Sequence, residues 1–462
     1  MRYISTRGHA PALSFEEVML AGLARDGGLY VPEAWPRLTA DEIAGLAGLP
    51  YEEAAFRVMR PFIGDTFEDA EFRRLIGLAY EGFDHPARCP LVQIGSNDWV
   101  LELHRGPTLA FKDVALQLIG RLFEAVLARR GERVTIVGAT SGDTGSAAME
   151  AFRASERVDV FFLHPAGRVS EVQRRQMTTL PEANLHAIAL DGDFDDCQAA
   201  VKALFNDLAF RDEIGLAAAN SINWARVLAQ VVYYFTAAVA LGAPHRAVAF
   251  SVPTGNFGDI YAGHAARHMG LPIKRLVIAT NENDILHRTV ETGRYLRQGV
   301  TPTIAPSMDI QVSSNFERLL FELYDGDAGA VGQLMKELKD AGGFALSQGA
   351  LERLREGFVS ARTDRAQAMA VIRRMAGHGQ VLDPHTAIGV AAAETCRGDP
   401  AVPMVTLGTA HAAKFPDAVE EACGIRPALP PRLADLFERP ERVTTLPNDI
   451  EALKQHIRKA RA

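Results

Sequence analysis

Apolar residues recur at intervals of three and four along the first ninety residues, which is the spacing of amphipathic helices. The pattern predicts helices at residues 14–24, 39–49, 51–63 and 69–83. These segments are modestly charged, and we expect residues 1–90 to form a small helical domain.

The pattern changes near Cys89. Beyond it, short β-branched runs are followed by loops of small residues and then by helical periods, which is typical of βα units in a parallel sheet. Such units lie at residues 133–154, 158–177, 247–270 and 402–419. They predict an open, mostly parallel α/β sheet.

Three further stretches do not follow that repeat. Residues 282–378 are mostly polar, with a helix-like segment at residues 316–326, and we expect them to leave the sheet as an excursion. The longest apolar run, residues 227–242, is shorter than the ~20 residues that span a bilayer and contains Gln230, so it predicts a buried helix. The charged residues after Pro430 are expected to form a C-terminal tail.

The composition is that of a globular protein. The 462 residues are 48% apolar, and this length corresponds to about three domains or subdomains. Lys and Arg number 49 against 57 Asp and Glu, a net charge of −8, so any anionic ligand must be held locally. The four cysteines lie far apart and the first residues lack the apolar core of a signal peptide, which indicates a reducing, cytoplasmic location.

A Gly-rich loop at residues 254–259 follows an apolar strand and opens a helix. Its backbone N–H groups and the helix dipole can converge on a phosphate, although an ordinary tight turn is the alternative interpretation. The similar segment at residues 138–145 lacks the Gly-Lys pair of a P-loop, and neither loop reads G-x-G-x-x-G.

Lys112 lies near the predicted first turn of a helix, after the turn Gly106-Pro107-Thr108. The positive end of the helix dipole disfavours the ammonium form, which makes this lysine a candidate Schiff-base former, whereas most helical lysines are solvated. A third loop carries a hydroxyl group at Thr409. An amine, a phosphate cradle and a contact for a ring nitrogen are together what pyridoxal phosphate requires.

Other candidate groups have simpler interpretations. His264 and His268 have the spacing of metal ligands on a helix, but no Glu follows the first His, so no metal is predicted. Ser141 has no evident His partner, which disfavours a serine hydrolase. We interpret Lys414 as a surface residue and as the rival amine to Lys112.

Six segments resemble motifs of the threonine synthase family, in family order: STRG, SFEEVMLAGLARDGGLYVP, HRGPTLAFKD, ATSGDTGSAA, PTGNFGDIYAG and LGTAHAAKFP. The resemblance spans nearly the whole chain. It implies a fold-type II pyridoxal-phosphate enzyme, similar to tryptophan synthase β, with two open, mostly parallel α/β subdomains at residues 91–430 and the active site between them. Residues 1–90 would be the N-terminal domain and residues 431–462 the C-terminal tail.

The resemblance also implies roles for single residues. Lys112 would bind the cofactor aldehyde and later move protons on the substrate. The residues that would hold the cofactor phosphate, largely through main-chain N–H groups, are Gly255, Asn256, Phe257, Gly258 and Asp259. Thr409 would meet the pyridine nitrogen, where a hydroxyl does not force protonation as a carboxylate does.

The remaining implied roles concern the substrate and one open position. Ser141 and Thr144 would border the substrate carboxylate. Many relatives have an Asn at the position of Asp143, against the phenolic oxygen of the cofactor; an anionic Asp would be repelled there, so its role stays open. Asn220 and Arg226 match a family segment that binds the substrate phosphate, for which the fork of an Arg is suited, and a helix-surface ion pair is the alternative for Arg226.

The implied reaction is the conversion of O-phospho-L-homoserine and water to L-threonine and phosphate, the last step of threonine biosynthesis. It needs two separate phosphate sites, one for the cofactor and one for the substrate. The alternatives are a phospho-lyase or dehydratase that releases a 2-oxo acid, and a catalytically silent cofactor-binding regulatory protein. The expected partner is a small molecule, with no nucleic acid or membrane, and the chain is expected to be a monomer or homodimer.

Overall fold

Two parallel β-sheets form the framework of the chain, with helices packed against them. The computed structural model describes residues 1–140, 142–153, 155–167, 169–217 and 220–461. The strands are β1 (Tyr3–Ser5), β2 (Tyr30–Pro32), β3 (Leu91–Gln93), β4 (Asp98–Glu102), β5 (Val134–Ala139), β6 (Val158–Pro165), β7 (Leu185–Leu190), β8 (Leu216–Ala217), β9 (Val248–Pro253), β10 (Ile273–Thr280), β11 (Arg294–Leu296), β12 (Gly343–Ala345), β13 (Phe358–Arg362), β14 (Met404–Gly408) and β15 (Thr444–Leu446).

Helices connect these strands. They are α1 (Phe15–Ala21), α2 (Ala40–Ala44), α3 (Tyr51–Ile63), α4 (Asp69–Tyr80), α5 (Lys112–Arg130), α6 (Asp143–Phe152), α7 (Glu171–Thr178), α8 (Phe194–Asn206), α9 (Leu208–Glu213), α10 (Trp224–Ala240), α11 (Gly258–His268), α12 (Ile285–Thr292), α13 (Phe316–Leu323), α14 (Ala328–Ala341), α15 (Gln348–Gly357), α16 (Arg365–Gly377), α17 (Pro384–Thr395), α18 (Pro416–Cys423) and α19 (Ile450–Arg461). Short 3-10 turns occupy Pro306–Met308, Ala412–Lys414 and Pro431–Leu433.

The two sheets differ in size. The larger sheet has the strand order β13-β10-β9-β14-β4-β3 and is parallel except for its edge strand β3. The smaller sheet has the order β15-β7-β6-β5-β8 and is parallel throughout. Two short antiparallel pairs, β1 with β2 and β11 with β12, lie outside both sheets. The predicted pair of open, mostly parallel sheets is confirmed.

The four predicted βα units are all present. They are β5 with α6, β6 with α7, β9 with α11, and β14 with a 3-10 turn and α18. The prediction for residues 282–378 was wrong in part: α13 is present, but β13 returns to the larger sheet beside β10, with Leu276 opposite Phe358. β13 is a five-residue edge strand with mixed burial, so its sequence lacks the apolar run that marked the central strands.

The N-terminal helices occur where the pattern predicts them. α1 and α2 begin with capping boxes formed by Ser14 with Glu17 and by Thr39 with Glu42, which satisfy backbone N–H groups at each start. α3 packs on α10 and α4 packs on α5. Their buried side chains belong to a hydrophobic core that continues into the larger sheet.

The long apolar run forms α10, which is buried along nearly its whole length, as predicted. Within the described ranges, no helix combines the length and the apolar character needed to cross a membrane. At its start, the side chain of Asn223 accepts a hydrogen bond from the Ala225 N–H at 3.0 Å and donates one to the Met19 carbonyl at 2.7 Å. These bonds fix the start of α10 against the N-terminal helices.

The C-terminal residues are joined to the smaller sheet. β15 pairs with β7, and α19 buries Leu453 and Ile457 in a core that also contains Phe161. The smaller sheet therefore takes strands from both the middle and the end of the chain.

Candidate active site

Lys112 is the first residue of α5, as predicted. The loop before it is fastened to the end of β14, because the Phe111 N–H donates to the Thr409 carbonyl at 2.8 Å and the His411 N–H donates to the Leu109 carbonyl at 3.0 Å. The lysine is 8% exposed. The structure thus places Lys112 next to Thr409, which is also buried.

Asp143 is the first residue of α6 and is the centre of a buried polar cluster. Its Oδ2 atom lies 3.4 Å from Lys112 Nζ and accepts a hydrogen bond from Ser307 Oγ at 3.1 Å. Its Oδ1 atom lies 2.9 Å from Lys414 Nζ and accepts a hydrogen bond from Gln173 Nε2 at 2.8 Å. Four side chains from four separate segments therefore converge on one carboxylate.

The interpretation of Lys414 as a surface residue was wrong. Its side chain is 0% exposed, and its ammonium group also donates to the Thr108 carbonyl at 2.7 Å. Lys414 follows β14 directly through the turn Ala412–Lys414, so the topology of the larger sheet brings it inward. Because both of its contacts are short, Lys414 is a less available amine than Lys112, whose ionic contact is 3.4 Å long.

The cluster sets the charge states of its members. Burial lowers the pKa of Lys112, an effect that Asp143 opposes and that the charges of Lys414 and Arg226 reinforce. Burial by itself raises the pKa of Asp143, but Lys414 and Lys112 outweigh it and hold that pKa well below its usual range. Asp143 is therefore a carboxylate, and burial shifts Lys112 toward its amine form.

The loop at residues 254–259 has the form of an anion cradle. Its carbonyl groups are bound from one side: Ser313 Oγ donates to the Gly255 carbonyl at 2.5 Å, and Asn315 donates to the Asn256 carbonyl at 3.0 Å from both its N–H and its Nδ2. The N–H groups of residues 255–259 have no acceptor within the described part of the chain. Phe257 has a φ of 63° just before α11 begins. The loop therefore leaves a row of amide donors free at a helix start, as phosphate binding requires.

Asp259 belongs to this loop, but its side chain turns away from it. The carboxyl accepts hydrogen bonds from Tyr233 and Tyr234, the latter at 3.1 Å. Burial raises the pKa of Asp259 to about 6, although the two tyrosines lower it. In this position Asp259 can bind an anion through its main-chain N–H, because its carboxyl group is held away from the loop by the two tyrosines.

Arg226 is a buried cation in the first turn of α10. It is 4% exposed, and its guanidinium has no hydrogen-bond or ion-pair partner among the described residues. Burial lowers its pKa to about 10, so it stays charged at neutral pH. An unpaired buried charge is unfavourable, so the arrangement fits an arginine whose partner is a bound anion. The alternative of a helix-surface ion pair is wrong for Arg226.

Three other predicted residues are less well defined. Asn220 is exposed, and its side-chain oxygen accepts from the Ile222 N–H at 3.4 Å, so no contact joins it to Arg226. The hydroxyls of Thr144 and Thr409 make no hydrogen bond to other described residues. Ser141 lies outside the described residues.

Asn315 links the two predicted phosphate sites. Besides binding Asn256, its Nδ2 donates to the Ser221 carbonyl at 3.1 Å. Its Oδ1 accepts from Arg318, a fully buried side chain that also donates to the Ile222 carbonyl at 2.6 Å and to the Tyr30 carbonyl at 2.9 Å. The cradle, the start of α10 and the N-terminal segment are thus held by one connected set of hydrogen bonds.

The N-terminal STRG motif contributes to the same support. Thr6 Oγ1 donates to Glu317 at 2.7 Å, and Arg7 makes two bonds of 3.0 Å to that carboxylate. Glu317 lies in the first turn of α13, directly beside Asn315 and Arg318. The motif therefore acts on the site through the residues that hold it.

His264, His268 and Glu322 bring three possible metal-ligand atoms together. However, Arg267 Nη2 donates to His264 Nδ1 at 2.9 Å, which places the ring proton on Nε2, and this atom donates to Glu322 at 2.9 Å. Burial lowers the pKa of His264, which favours this neutral ring. Arg267, the two histidines and Glu322 thus form one hydrogen-bonded network.

Sequence reasoning missed Gln173, Ser307, Asn315 and the burial of Lys414. Lys414 has one usable signal, since AHAAKFP places it among small apolar residues directly after a strand. Ser307 and Gln173 carry no such signal. The relative placement of the two sheets brings Ser307 to Asp143, and the packing of α7 against α6 brings Gln173 there.

The residues present fit pyridoxal phosphate. Lys112 supplies a buried amine without a short ionic partner, and the loop at residues 255–259 supplies free amide donors. Thr409 supplies a hydroxyl on the loop that binds the segment before Lys112. All three follow strands of the larger sheet, at the carboxyl ends where α/β sheets bind ligands. This fold and this site define a pyridoxal-phosphate-dependent enzyme of the fold-type II group.

Comparisons with known families specify the class further. The model described as "Pyridoxal-phosphate dependent enzyme" matches residues 86–341. Those described as "Threonine synthase N terminus" and "Threonine synthase, C-terminal" match residues 2–80 and 386–457. The chain belongs to the threonine synthase family of pyridoxal-phosphate-dependent lyases.

Individual relatives agree with this assignment. A threonine synthase of Pseudomonas aeruginosa is 58% identical over 99% of this chain and 98% of its own length. The crystal structure of pyridoxal-phosphate-bound threonine synthase from Brucella melitensis is 55% identical with a TM-score of 0.97, covering 100% of this chain and 99% of that one. The Escherichia coli threonine synthase structure is 32% identical with a TM-score of 0.85, covering 99% of this chain and 100% of that one.

Proposed function

We propose that the protein converts O-phospho-L-homoserine and water to L-threonine and phosphate. The proposal is carried by the presence of two separate anion sites. One is the row of free N–H groups at residues 255–259, and the other is the unpaired guanidinium of Arg226. A phosphorylated cofactor occupies the first and a phosphorylated substrate the second, a demand that an enzyme with an unphosphorylated substrate would not make.

Lys112 binds the cofactor and moves protons on the substrate. When bound, pyridoxal phosphate draws electrons from the carbon atoms of an attached amino acid. The Lys112 Nζ atom takes the proton that leaves the substrate α-carbon and handles the later proton at the β-carbon. Burial supports this role, because a desolvated lysine is more readily a neutral base at physiological pH.

Arg226 binds the substrate phosphate and stabilises it as it leaves. A buried guanidinium forms strong, bidentate contacts with phosphate oxygens, and its positive charge favours the departing dianion. Ser141, Thr144 and Asn220 remain predicted substrate contacts. Thr409 is assigned to the ring nitrogen and Asp143 to the cofactor face.

Product analysis tests the proposal. We expect the cofactor-loaded protein to form threonine and phosphate in equal amounts from O-phospho-L-homoserine. A 2-oxo acid as the main product would instead identify a phospho-lyase or dehydratase. Tight cofactor binding without turnover of this substrate would identify a silent binding protein.

Location and assembly are part of the proposal. The four cysteines are free thiols, which suits a reducing compartment, so we assign the protein to the cytoplasm as a monomer or homodimer. Cell fractionation and light scattering of the purified protein measure these two properties.

A further inference from the structure

Asp143 is shared by two lysines. Lys414 Nζ lies 2.9 Å from its Oδ1 and Lys112 Nζ lies 3.4 Å from its Oδ2. Among the described residues, neither lysine forms an ion pair with any other carboxylate. Two ammonium groups therefore compete for one buried carboxylate, and the shorter contact belongs to Lys414.

The surroundings hold Lys414 in that position. Its side chain is fully buried, and the Thr108 carbonyl accepts its second hydrogen bond at 2.7 Å. Gln173 occupies the same carboxylate oxygen from the smaller-sheet side at 2.8 Å. The Oδ1 atom is thus engaged by Lys414 and Gln173, which orients the carboxylate away from a closer contact with Lys112.

We propose that Lys414 is a positioning residue: by pairing with Asp143, it prevents that carboxylate from capturing Lys112 and so leaves the Lys112 amine available to the cofactor aldehyde. The attachment forms a C=N bond between the amine nitrogen and the aldehyde carbon, and the aldehyde oxygen leaves as water with both amine protons. Only the unprotonated amine can begin this step. The inference rests on the proposed function only in taking Lys112 as the cofactor-binding residue.

The charges that face Lys112 support this role. They are Asp143 on α6, Lys414 after β14, Arg226 on α10 and Asp259 on α11. Burial makes the largest contribution to the lowered pKa of Lys112, and Lys414 adds to it. Loss of Lys414 removes a repelling charge and frees Asp143 for Lys112, and both changes favour the ammonium form.

The test measures cofactor attachment to apoprotein, without any substrate. Pyridoxal 5′-phosphate is added across a range of pH, and the rate of growth of the visible absorbance gives the pH midpoint for attachment. We expect Lys414→Met to raise this midpoint by about one unit, which is about a tenfold slower attachment at a fixed pH below it. Lys414→Arg, which keeps the charge, is expected to stay close to wild type.

A double-mutant cycle separates this role from a structural one. If Lys414 acts through Asp143, removal of Lys414 has a smaller effect on the midpoint in an Asp143→Asn background, where only the loss of its repelling charge remains. Equal shifts in both backgrounds, or a wild-type midpoint for Lys414→Met, would overturn the inference. Should Lys414→Met fail to fold by circular dichroism, Lys414→Gln, which keeps a hydrogen bond to Thr108 without the charge, is judged by the same criteria.

A matched control and a separate check complete the design. Lys454 forms an ion pair with Asp207 at 2.8 Å, far from the site in the chain's C-terminal helix, and Lys454→Met is expected to leave the midpoint unchanged. If Lys112→Ala still forms the covalent adduct, Lys112 is not the cofactor-binding residue and the proposed function is wrong in its central assignment. If attachment requires Lys112 but ignores Lys414, only the present inference fails.

Discussion

The larger and smaller sheets contribute to the site in different ways. The larger sheet supplies the cradle at residues 255–259 and the segment before Lys112, and both are fixed by main-chain hydrogen bonds to neighbouring loops. The smaller sheet supplies Asp143 and Gln173, which contribute through their side chains: Gln173 and Lys112 both donate hydrogen bonds to the Asp143 carboxylate. The cofactor side is therefore built from backbone geometry, whereas the polar cluster at Asp143 depends on the charge of one carboxylate.

This difference decides which substitutions matter. At the cradle, a change must alter the backbone to have a large effect. At Asp143, loss of a single charge disturbs contacts with Lys112, Lys414 and Ser307 together.

The largest effect is expected from Lys112→Ala. Removal of the amine takes away both the cofactor attachment and the base, and we expect threonine formation to fall by about 10²- to 10⁴-fold. The visible absorbance of the attached cofactor should vanish while the far-UV circular dichroism stays unchanged. If the variant fails to fold, Lys112 is needed for stability as well as for chemistry. Full activity would refute the role of Lys112.

The next effect is expected from Arg226→Met. Loss of a buried charge contact to phosphate should lower kcat/KM by roughly 100-fold, through both KM and kcat, with cofactor binding retained. Because the guanidinium has no partner among the described residues, its replacement by an apolar side chain should also stabilise the substrate-free protein by about 1–4 kcal/mol.

Urea unfolding with and without inorganic phosphate checks this prediction. Phosphate should stabilise the wild type more than Arg226→Met. Arg365→Met, which removes an exposed partner of Glu421, serves as the control and should change neither property strongly. A destabilised Arg226→Met variant would show that Arg226 is a structural residue.

A smaller effect is expected from Gly255→Ala, which tests the backbone side directly. A Cβ atom at Gly255 would lie 2.7 Å from the Ser307 carbonyl oxygen, so the cradle has to shift at a cost of about 1–3 kcal/mol. We expect cofactor affinity to fall by about tenfold or more in a fluorescence titration. Gly349→Ala, where a Cβ meets no atom within 4 Å, is the matched control. Equal affinities for the two variants would argue against the cradle.

The sequence predicted the backbone side of the site better than the side-chain cluster. Residues 255–259 follow a strand with a clear apolar run, so their place at a sheet edge can be deduced from local pattern. Lys112 was placed at a helix start by the turn that precedes it. Lys414 was interpreted as a surface residue because its burial depends on β14 lying between β9 and β4. β8, with two residues, and β15, with three, are too short to show a period, so the limits of the smaller sheet could not be predicted.

The smallest effect is expected for the pH dependence of stability. It differs between two buried carboxyl groups, Asp259 beside the larger sheet and Asp143 beside the smaller sheet. Burial raises the pKa of Asp259 in the cradle to about 6, while Lys414 and Lys112 outweigh burial and hold the pKa of Asp143 below its usual range. A raised pKa means that the folded protein binds the extra proton, so Asp259 contributes stability at low pH that is lost as pH rises through about 6. Asp143 contributes stability above the unfolded pKa of a carboxyl group, and this is lost only in stronger acid.

Between pH 5 and pH 7.5, the two residues should therefore behave differently. We expect the wild type to lose about 1 kcal/mol of unfolding free energy relative to Asp259→Asn across this range. The difference between the wild type and Asp143→Asn should stay constant there, because Asp143 is ionised throughout. Urea unfolding at the two pH values measures both differences in the apoprotein. A pH-independent Asp259→Asn difference would mean that Tyr233 and Tyr234 stabilise an ionised Asp259, and the cradle would then depend on a charged carboxylate, as the polar cluster at Asp143 does.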